Sequence, residues 1–164
     1  MNKKTLAIVF AVFVLAAADA SAQYPLGAAG FLWTGSSGAV AGTFCWGFSC
    51  TPYPVNVTAG ESVTVRITGE GGAPYAIFVS PTATNCQSFP NVLNSLVLDL
   101  TPSILSTGYL LNFSPILSCP NAYAEVTGTL PPIFPIGTTF AIQGLTYGAG
   151  FVPAFTSAIV ATVI

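Results

Sequence analysis

The chain contains no histidine and almost no charge, with three Lys or Arg and five Asp or Glu in 164 residues. Without the leader described below, Arg66 is the single positive residue beside Glu61, Glu70, Asp99 and Glu125, which gives a net charge of −3. Serine and cysteine hydrolases need a His or Lys beside the nucleophile, so we expect no catalytic residues of these classes. A single cation also argues against nucleic-acid binding, because phosphates are neutralised by clustered Lys and Arg.

The first 22 residues have the pattern of a secretory signal peptide. Lys3 and Lys4 precede an apolar stretch from Leu6 to Ala18, and the small residues of Ala20–Ala22 predict cleavage before Gln23. The apolar stretch is shorter than the roughly 20 residues that span a bilayer. We therefore expect a secreted, extracellular or cell-surface protein without a membrane span after cleavage, with the periplasm as the alternative location.

The four cysteines predict two disulfides, because their number is even and the leader directs the chain to an oxidising compartment. Three pairings are formally open. The short loop between Cys45 and Cys50 favours a bridge between these two, which leaves Cys86 to pair with Cys119. The spacing contains no paired C-x-x-C and the chain has no His, so we expect no metal site.

The mature segment 23–164 is long enough for one domain. Gly and Pro interrupt it at short intervals, and the stretches between them favour strand over helix. Within Ser62–Thr68, apolar and polar residues alternate as in a half-buried strand. The preceding run, Val55–Thr58, alternates in the same way, and the turn at Ala59 and Gly60 predicts a hairpin between the two.

The pattern predicts an all-β, antiparallel β-sandwich of about eight strands, immunoglobulin-like or jelly-roll-like. The many prolines favour strand edges and loops over a continuous barrel wall. The other predicted strands are Pro74–Ser80, Ser95–Leu100, Tyr109–Phe113, Ala122–Leu130, Thr138–Leu145 and Thr156–Ile164.

Three segments carry a family resemblance: Gly60–Val65, Gly72–Ser80 and the run from Leu130–Pro132 to Gly137–Gly144, which contains a Gly-x-x-Phe-x-x-Gln strand. They resemble a β-sandwich domain that recurs in secreted and cell-surface proteins of planctomycetes and similar bacteria. The resemblance implies a sandwich fold and no catalytic residues. This chain departs from the family in standing alone and in having Gly144 where the family often has Ala.

Few residues suggest chemistry. Asp99 and Glu125 could form a carboxylate pair like that of glycoside hydrolases, but their positions on alternating strands predict surface charges. A calcium-binding D-x-[DN]-x-[DN]-G loop is missing from the sequence. We expect no cofactor and no metal ion.

Aromatic residues near Gly-rich turns are candidates for stacking on sugars, although most aromatics of a β domain pack in its core. They are Trp33, Trp46, Tyr53 and Tyr147. We select Trp46 and Tyr53 as the possible ligand contacts.

The leading functional hypothesis is a non-catalytic structural or interaction protein that assembles with copies of itself or with other cell-surface proteins. A surface with so little charge offers little repulsion, and strand edges without Lys invite pairing. The predicted segments for pairing with another chain are the apolar stretch Tyr24–Trp33 and the final strand Ala158–Ile164. A carbohydrate-binding or adhesive module is the alternative, and a small outer-membrane barrel is a third hypothesis.

Overall fold

The computed structural model describes residues 29–45, 47–99, 101–113, 122–148 and 150–164. These residues form twelve strands in two sheets, so the predicted all-β class is confirmed. In this part of the chain no helix is long and apolar enough to cross a membrane. The predicted leader lies outside the described residues. The strands are β1 Gly30–Gly35, β2 Val40–Thr43, β3 Tyr53–Val57, β4 Ser62–Gly69, β5 Pro74–Ser80, β6 Gln87–Phe89, β7 Val92–Leu96, β8 Ser103–Tyr109, β9 Asn112–Phe113, β10 Ala122–Thr129, β11 Thr139–Gly148 and β12 Val152–Val163.

The first sheet has the strand order β2-β1-β4-β10-β9, with antiparallel neighbours throughout. Its central strand, β4, has the alternation that the sequence predicts. Val63, Val65 and Ile67 are buried on the inner face, while Arg66 lies opposite Glu125 on the outer face. The two-residue period of a strand therefore separates core from solvent in this sheet.

The second sheet has the order β6-β7-β12-β11-β5-β8, and β3 pairs with β12. β12 runs antiparallel to β11 on one side and parallel to β3 and β7 on the other. The main core lies between the two sheets and contains large, fully buried side chains, among them Phe31, Ile67, Ile77, Ile142 and Ile159.

A second, smaller core covers the other face of this second sheet. Leu96 and Leu98 pack there with Ala141 and Phe155. Beneath them lies Gln143, which is fully buried. Its Oε1 accepts from the Val97 N–H at 2.9 Å, and its Nε2 donates to the Ser95 and Thr156 carbonyls at 2.9 and 2.8 Å. The Gln of the predicted Gly-x-x-Phe-x-x-Gln strand therefore joins the 95–98 segment to the sheet.

The predicted hairpin between β3 and β4 is wrong, because the two strands belong to different sheets. The turn crosses from one sheet to the other and is held by Glu61. The carboxylate accepts from the N–H and hydroxyl of Ser37 at 2.9 and 2.5 Å and from the N–H of Thr58 at 2.9 Å. These hydrogen bonds, first that from the Ser37 hydroxyl, lower the pKa of Glu61 below its ordinary value of 4.5.

Several predicted strand boundaries are also wrong. The sequence pattern predicts no strand at the positions of β1, β2 and β6. In place of the predicted strand Tyr109–Phe113, the structure has the longer β8 and the two-residue β9. The predicted strand at Ser95–Leu100 overlaps β7 only at Ser95 and Leu96. β1 and β2 contain Gly, and β8 contains Ser and Thr. Because these residues are also typical of turns, the sequence does not clearly indicate strands there.

The preferred disulfide pairing is wrong as well. Cys50 pairs with Cys86, with 5.5 Å between their Cα atoms. Cys45 is also disulfide-bonded, and Cys119 lies outside the described residues. β3 and β7 lie along the same edge of β12, and β6 pairs with β7. The segments that precede β3 and β6 are therefore close in space, although they are far apart in sequence.

Candidate binding site

Two strand edges are unpaired on one side of the sandwich. β8 is the last strand of the second sheet and pairs only with β5 among the described residues. β10 pairs with β4 along its whole length, but on its other side β9 reaches only Ala122 and Tyr123. The edge of β10 from Ala124 to Thr129 is therefore unpaired within the described part of the chain.

The other described edge strands are shorter or contain proline. β2 has four residues, β6 three and β9 two, while β3 carries Pro54. β8 has seven residues, Ser103–Tyr109, with neither proline nor charge. Long, uncharged edges are those most prone to pair with another strand.

An apolar cleft of about 480 Å³ lies between the sheets beside these edges and is partly open to solvent. We call it the β8–β10 cleft. Its floor consists of buried side chains, including Trp33, Val65 and Ile142. Its mouth is formed by more exposed residues of β8 and β10 and by the loop that follows β10, where Pro131 and Phe134 line it.

Trp33 is the one described residue with a buried side-chain polar atom that lacks a hydrogen-bond partner. The side chain is 2% exposed and lines the cleft. Its ring packs at a tilt against Phe140, with 6.1 Å between centroids, and Phe140 packs in turn against Phe134. The indole is therefore fixed by aromatic neighbours while its Nε1–H is unsatisfied.

Exposed apolar residues lie on β8 and in the loop after β10, two of the elements that contribute to the mouth of the cleft. On β8, Ile104 is 65% and Leu105 is 55% exposed. In the loop after β10, Ile133 is 84% and Ile136 is 83% exposed. A patch of this kind, next to an unpaired edge, is typical of an interaction surface.

An ion pair lies on the outer face of the first sheet. Glu125 forms an ion pair with Arg66 at 2.5 Å, and the guanidinium of Arg66 also stacks on the rings of Tyr123 and Phe44. Glu125 is exposed, as predicted, whereas the half-buried Asp99 accepts from the Thr82 hydroxyl.

Asp99 and Glu125, which the sequence predicts to be surface charges, lie in different parts of the sandwich, and the alternative of a carboxylate pair is not realised. Asp99 follows β7 in the second sheet, while Glu125 lies on β10 in the first sheet. The described residues also include no cluster of three or more His, Cys, Asp or Glu that could hold a metal ion.

The choice of Trp46 and Tyr53 as ligand contacts stays a prediction. Trp46 lies outside the described residues, and Tyr53 is half-buried against the main core. Trp33, expected near a turn, lies within β1 and lines the cleft. The sequence does not predict the unpaired edge of β8, because the position of a strand at the edge of a sheet depends on how all the strands of the sheet pair.

The described parts of the predicted pairing segments already have neighbouring strands. β1 lies between β2 and β4, so the described part of the stretch Tyr24–Trp33 has neighbours on both sides. Ala158–Ile164 belongs mostly to β12, which pairs on both sides. Strands at the centre of a sheet have few backbone groups left for a partner.

No protein family matches the chain, and no curated protein matches it. Among solved structures, it is similar to a chitin-binding domain from Burkholderia pseudomallei, with 11% sequence identity and a TM-score of 0.36. The alignment covers 73% of this chain and 58% of that one. A likeness at this level carries no argument about function. The resemblance to the planctomycete β-sandwich domain stays a prediction.

Proposed function

We propose that this chain is a non-catalytic, secreted interaction protein that associates with a second copy of itself through the edge of β8. The observation that carries the proposal is the unpaired seven-residue edge of β8, which is flanked by exposed apolar side chains. The signal-peptide pattern and the Cys50–Cys86 disulfide support a location in an oxidising compartment.

The sequence of β8 favours pairing with an identical strand. The backbone N–H and C=O groups on an unpaired edge are a template for another strand. The segment Ser-Ile-Leu-Ser-Thr-Gly-Tyr contains no Lys, Glu or Pro of the kind that prevents such pairing. With a net charge of −3 on the mature chain, two copies repel each other only weakly.

A second copy is the occupant that this edge fits best. Antiparallel pairing of β8 with β8 is related by a two-fold axis, so both copies use the same surface and the assembly closes as a dimer. The exposed Ile104 and Leu105 of each copy then lie at the joined edges and lose contact with water. A continuous sheet across the dimer satisfies the backbone groups of both β8 strands.

The experiment is a light-scattering mass over a range of concentrations, on oxidised protein prepared without detergent. We expect a dimer that dissociates on dilution. Ile104→Lys places a charge on the edge and outside the cleft lining, so the dissociation constant should rise at least about tenfold. Val40→Lys is the matched control, because Val40 is 60% exposed on β2, an edge strand of the first sheet.

A monomer at all concentrations would contradict the proposal, as would a dimer that Val40→Lys weakens and Ile104→Lys does not. A monomer would direct attention to the carbohydrate-binding alternative, with a glycan screen and Trp46→Ala as its test. Other cell-surface proteins would then be the remaining candidates for pairing with β8.

A further inference from the structure

Two tyrosines of the second sheet lie on its outer face. Leu110, directly after β8, is fully buried in the main core, whereas Tyr109 before it is 63% exposed. In β11, Leu145 packs on the small outer core, and Tyr147, two residues further on, is 37% exposed. Because side chains alternate between the two faces of a strand, both tyrosines are on the side of the sheet that faces away from the main core.

The other described tyrosines have partners, and these two do not. Tyr53 and Tyr75 pack against the main core, and the guanidinium of Arg66 stacks on the ring of Tyr123. The side chains of Tyr109 and Tyr147 form no hydrogen bond or ring contact within the described part of the chain. Both phenol rings are therefore available to a ligand.

The strand register brings the two tyrosines into one row across the sheet. Tyr109 lies opposite Pro74 of β5, and Tyr147 lies opposite Pro153 of β12. The pairing of β5 with β11 ends one residue before this point, so Tyr147 comes level with Pro74. The order on the four adjacent strands is thus Tyr109, Pro74, Tyr147 and Pro153, which we call the tyrosine row.

The spacing within this row fits a particular kind of polymer. Tyr109 and Tyr147 are two strands apart, which is about 9.6 Å, or two interstrand spacings of about 4.8 Å. This separation is close to the length of one disaccharide in an extended β-1,4-linked polysaccharide. Successive sugars of such a chain are turned over, so the first and third sugars present the same face. The apolar faces of these two sugars can pack on the two phenol rings.

The charges around the row favour an uncharged polysaccharide. The row itself contains no charged residue, and Arg66, the single cation of the mature chain, is paired with Glu125 on the first sheet. The backbone N–H of Glu70 donates to the carbonyl of Tyr147 at 2.8 Å, so an acidic residue follows β4 at this end of the sandwich. Carboxylated or sulfated chains would meet this like charge and find no cation to pair with.

We propose that the tyrosine row binds an uncharged, extended β-1,4-linked polysaccharide of the cellulose or chitin type, with Tyr109 and Tyr147 stacked on its first and third sugars. Thr107, two residues before Tyr109 on the same face of β8, is exposed and supplies a hydroxyl for hydrogen bonds with the sugars. Stacking on the rings provides the affinity. The fixed distance between the rings selects extended chains over helical ones.

The experiment measures depletion of the oxidised mature protein from solution by three insoluble polysaccharides. Cellulose and chitin are extended β-1,4-linked chains, without and with N-acetyl groups, whereas starch consists of helical α-1,4-linked chains. We expect cellulose, chitin or both to bind with a dissociation constant at least about tenfold lower than that of starch. Binding to both identifies the shared backbone as the ligand, and binding to one assigns the source.

Substitutions of the two tyrosines locate the binding. Tyr109→Ala and Tyr147→Ala should each weaken it about five- to tenfold, because each removes one stacking ring. The double variant Tyr109→Phe/Tyr147→Phe retains both rings and should bind within about twofold of wild type. Phe113→Ala is the matched control, because Phe113 is a 74% exposed aromatic residue on β9 of the first sheet. Amide spectra verify that each variant is folded.

Soluble oligosaccharides test the spacing. A trisaccharide reaches both rings, whereas a disaccharide reaches only one. For the polysaccharide that binds, the trisaccharide should therefore bind about five- to tenfold more tightly than the disaccharide. This advantage should disappear in Tyr109→Ala, which has only one of the two rings.

Absence of binding to both cellulose and chitin by the folded wild-type protein would overturn the proposal. Binding that is unchanged in the folded double variant Tyr109→Ala/Tyr147→Ala would overturn it too, as would an equal loss in Phe113→Ala. The result is separable from self-association, because the same measurements can be made on Ile104→Lys, whose substituted residue lies at the other end of β8 from Tyr109.

Discussion

Gln143 and Trp33 are buried polar side chains on opposite sides of the second sheet, and their surroundings differ. Gln143, beneath the 95–98 segment, has partners for both its oxygen and its nitrogen. Trp33, at the floor of the cleft, has no partner for its nitrogen among the described residues. The small outer core therefore contains a buried side chain whose polar atoms have partners, whereas the wall of the cleft contains a buried donor that has none among the described residues.

We expect the largest loss of stability when the hydrogen bonds of Gln143 are removed. Gln143→Leu leaves the Val97 N–H and the Ser95 carbonyl without their side-chain partner in a buried place. We expect the free energy of unfolding to fall by about 3 kcal/mol, measured by denaturant unfolding. Gln87→Leu, at an exposed position of β6, is the control and should change it by less than about 0.5 kcal/mol. Equal losses in the two variants would contradict the role assigned to Gln143.

Glu61 is a second buried polar residue whose side chain has hydrogen-bond partners, and its contribution to stability depends on pH. Its pKa is lowered in the folded protein, so its stabilising contribution is present above the unfolded value near 4.5 and is lost as the pH falls through the lower folded value. Glu61→Gln should reduce the free energy of unfolding by about 2 kcal/mol at pH 7. The difference from wild type should shrink in acid, and a difference that stays constant between pH 7 and pH 2 would contradict the assignment.

A matched pair of glycines compares the packing of the main core with the packing beside the cleft. A Cβ at Gly144 would lie 2.6 Å from Ile67 Cδ1, whereas a Cβ at Gly128, beside the cleft, would meet nothing within 4 Å. Gly144→Ala should destabilise the protein by about 1 kcal/mol through overpacking. Gly128→Ala should be neutral or stabilising by up to about 1 kcal/mol, because it restricts the unfolded chain. Thermal unfolding of both variants provides the measurement, and the reverse order would refute the comparison.

The smallest effect is expected from Trp33→Phe. The variant loses part of a buried ring but also removes a buried donor without a partner, and the two contributions oppose each other. We expect the free energy of unfolding to change by less than about 1 kcal/mol in denaturant unfolding. A loss as large as that of Gln143→Leu would indicate that the indole N–H has a structural partner.

The sequence predicts those parts of the fold that depend on local alternation. Pro74–Ser80 matches β5, and Ser62–Thr68 and Ala122–Leu130 match β4 and β10 to within a residue at either end. β8 has no such signal, because most of its side chains are exposed on both faces. Alternation appears only where one face of a strand is buried.

The candidate site is beyond prediction from sequence for a different reason. Its edge exists because β8 comes last in the second sheet, and its cleft exists because side chains from several distant strands do not fill the space between the sheets. Both properties depend on long-range pairing. The same holds for the turn at Glu61, whose local pattern resembles a hairpin although its strands join different sheets.

Amide hydrogen exchange, compared between concentrated and dilute protein, shows whether β8 is the pairing edge of the molecule. We expect the outward amides of β8 to exchange fast in dilute protein and to become protected at high concentration, while the amides of β2 at the opposite edge do not change. Protection that appears in β2 and not in β8, or an assembled form in which β8 exchanges as fast as in the dilute protein, would contradict it.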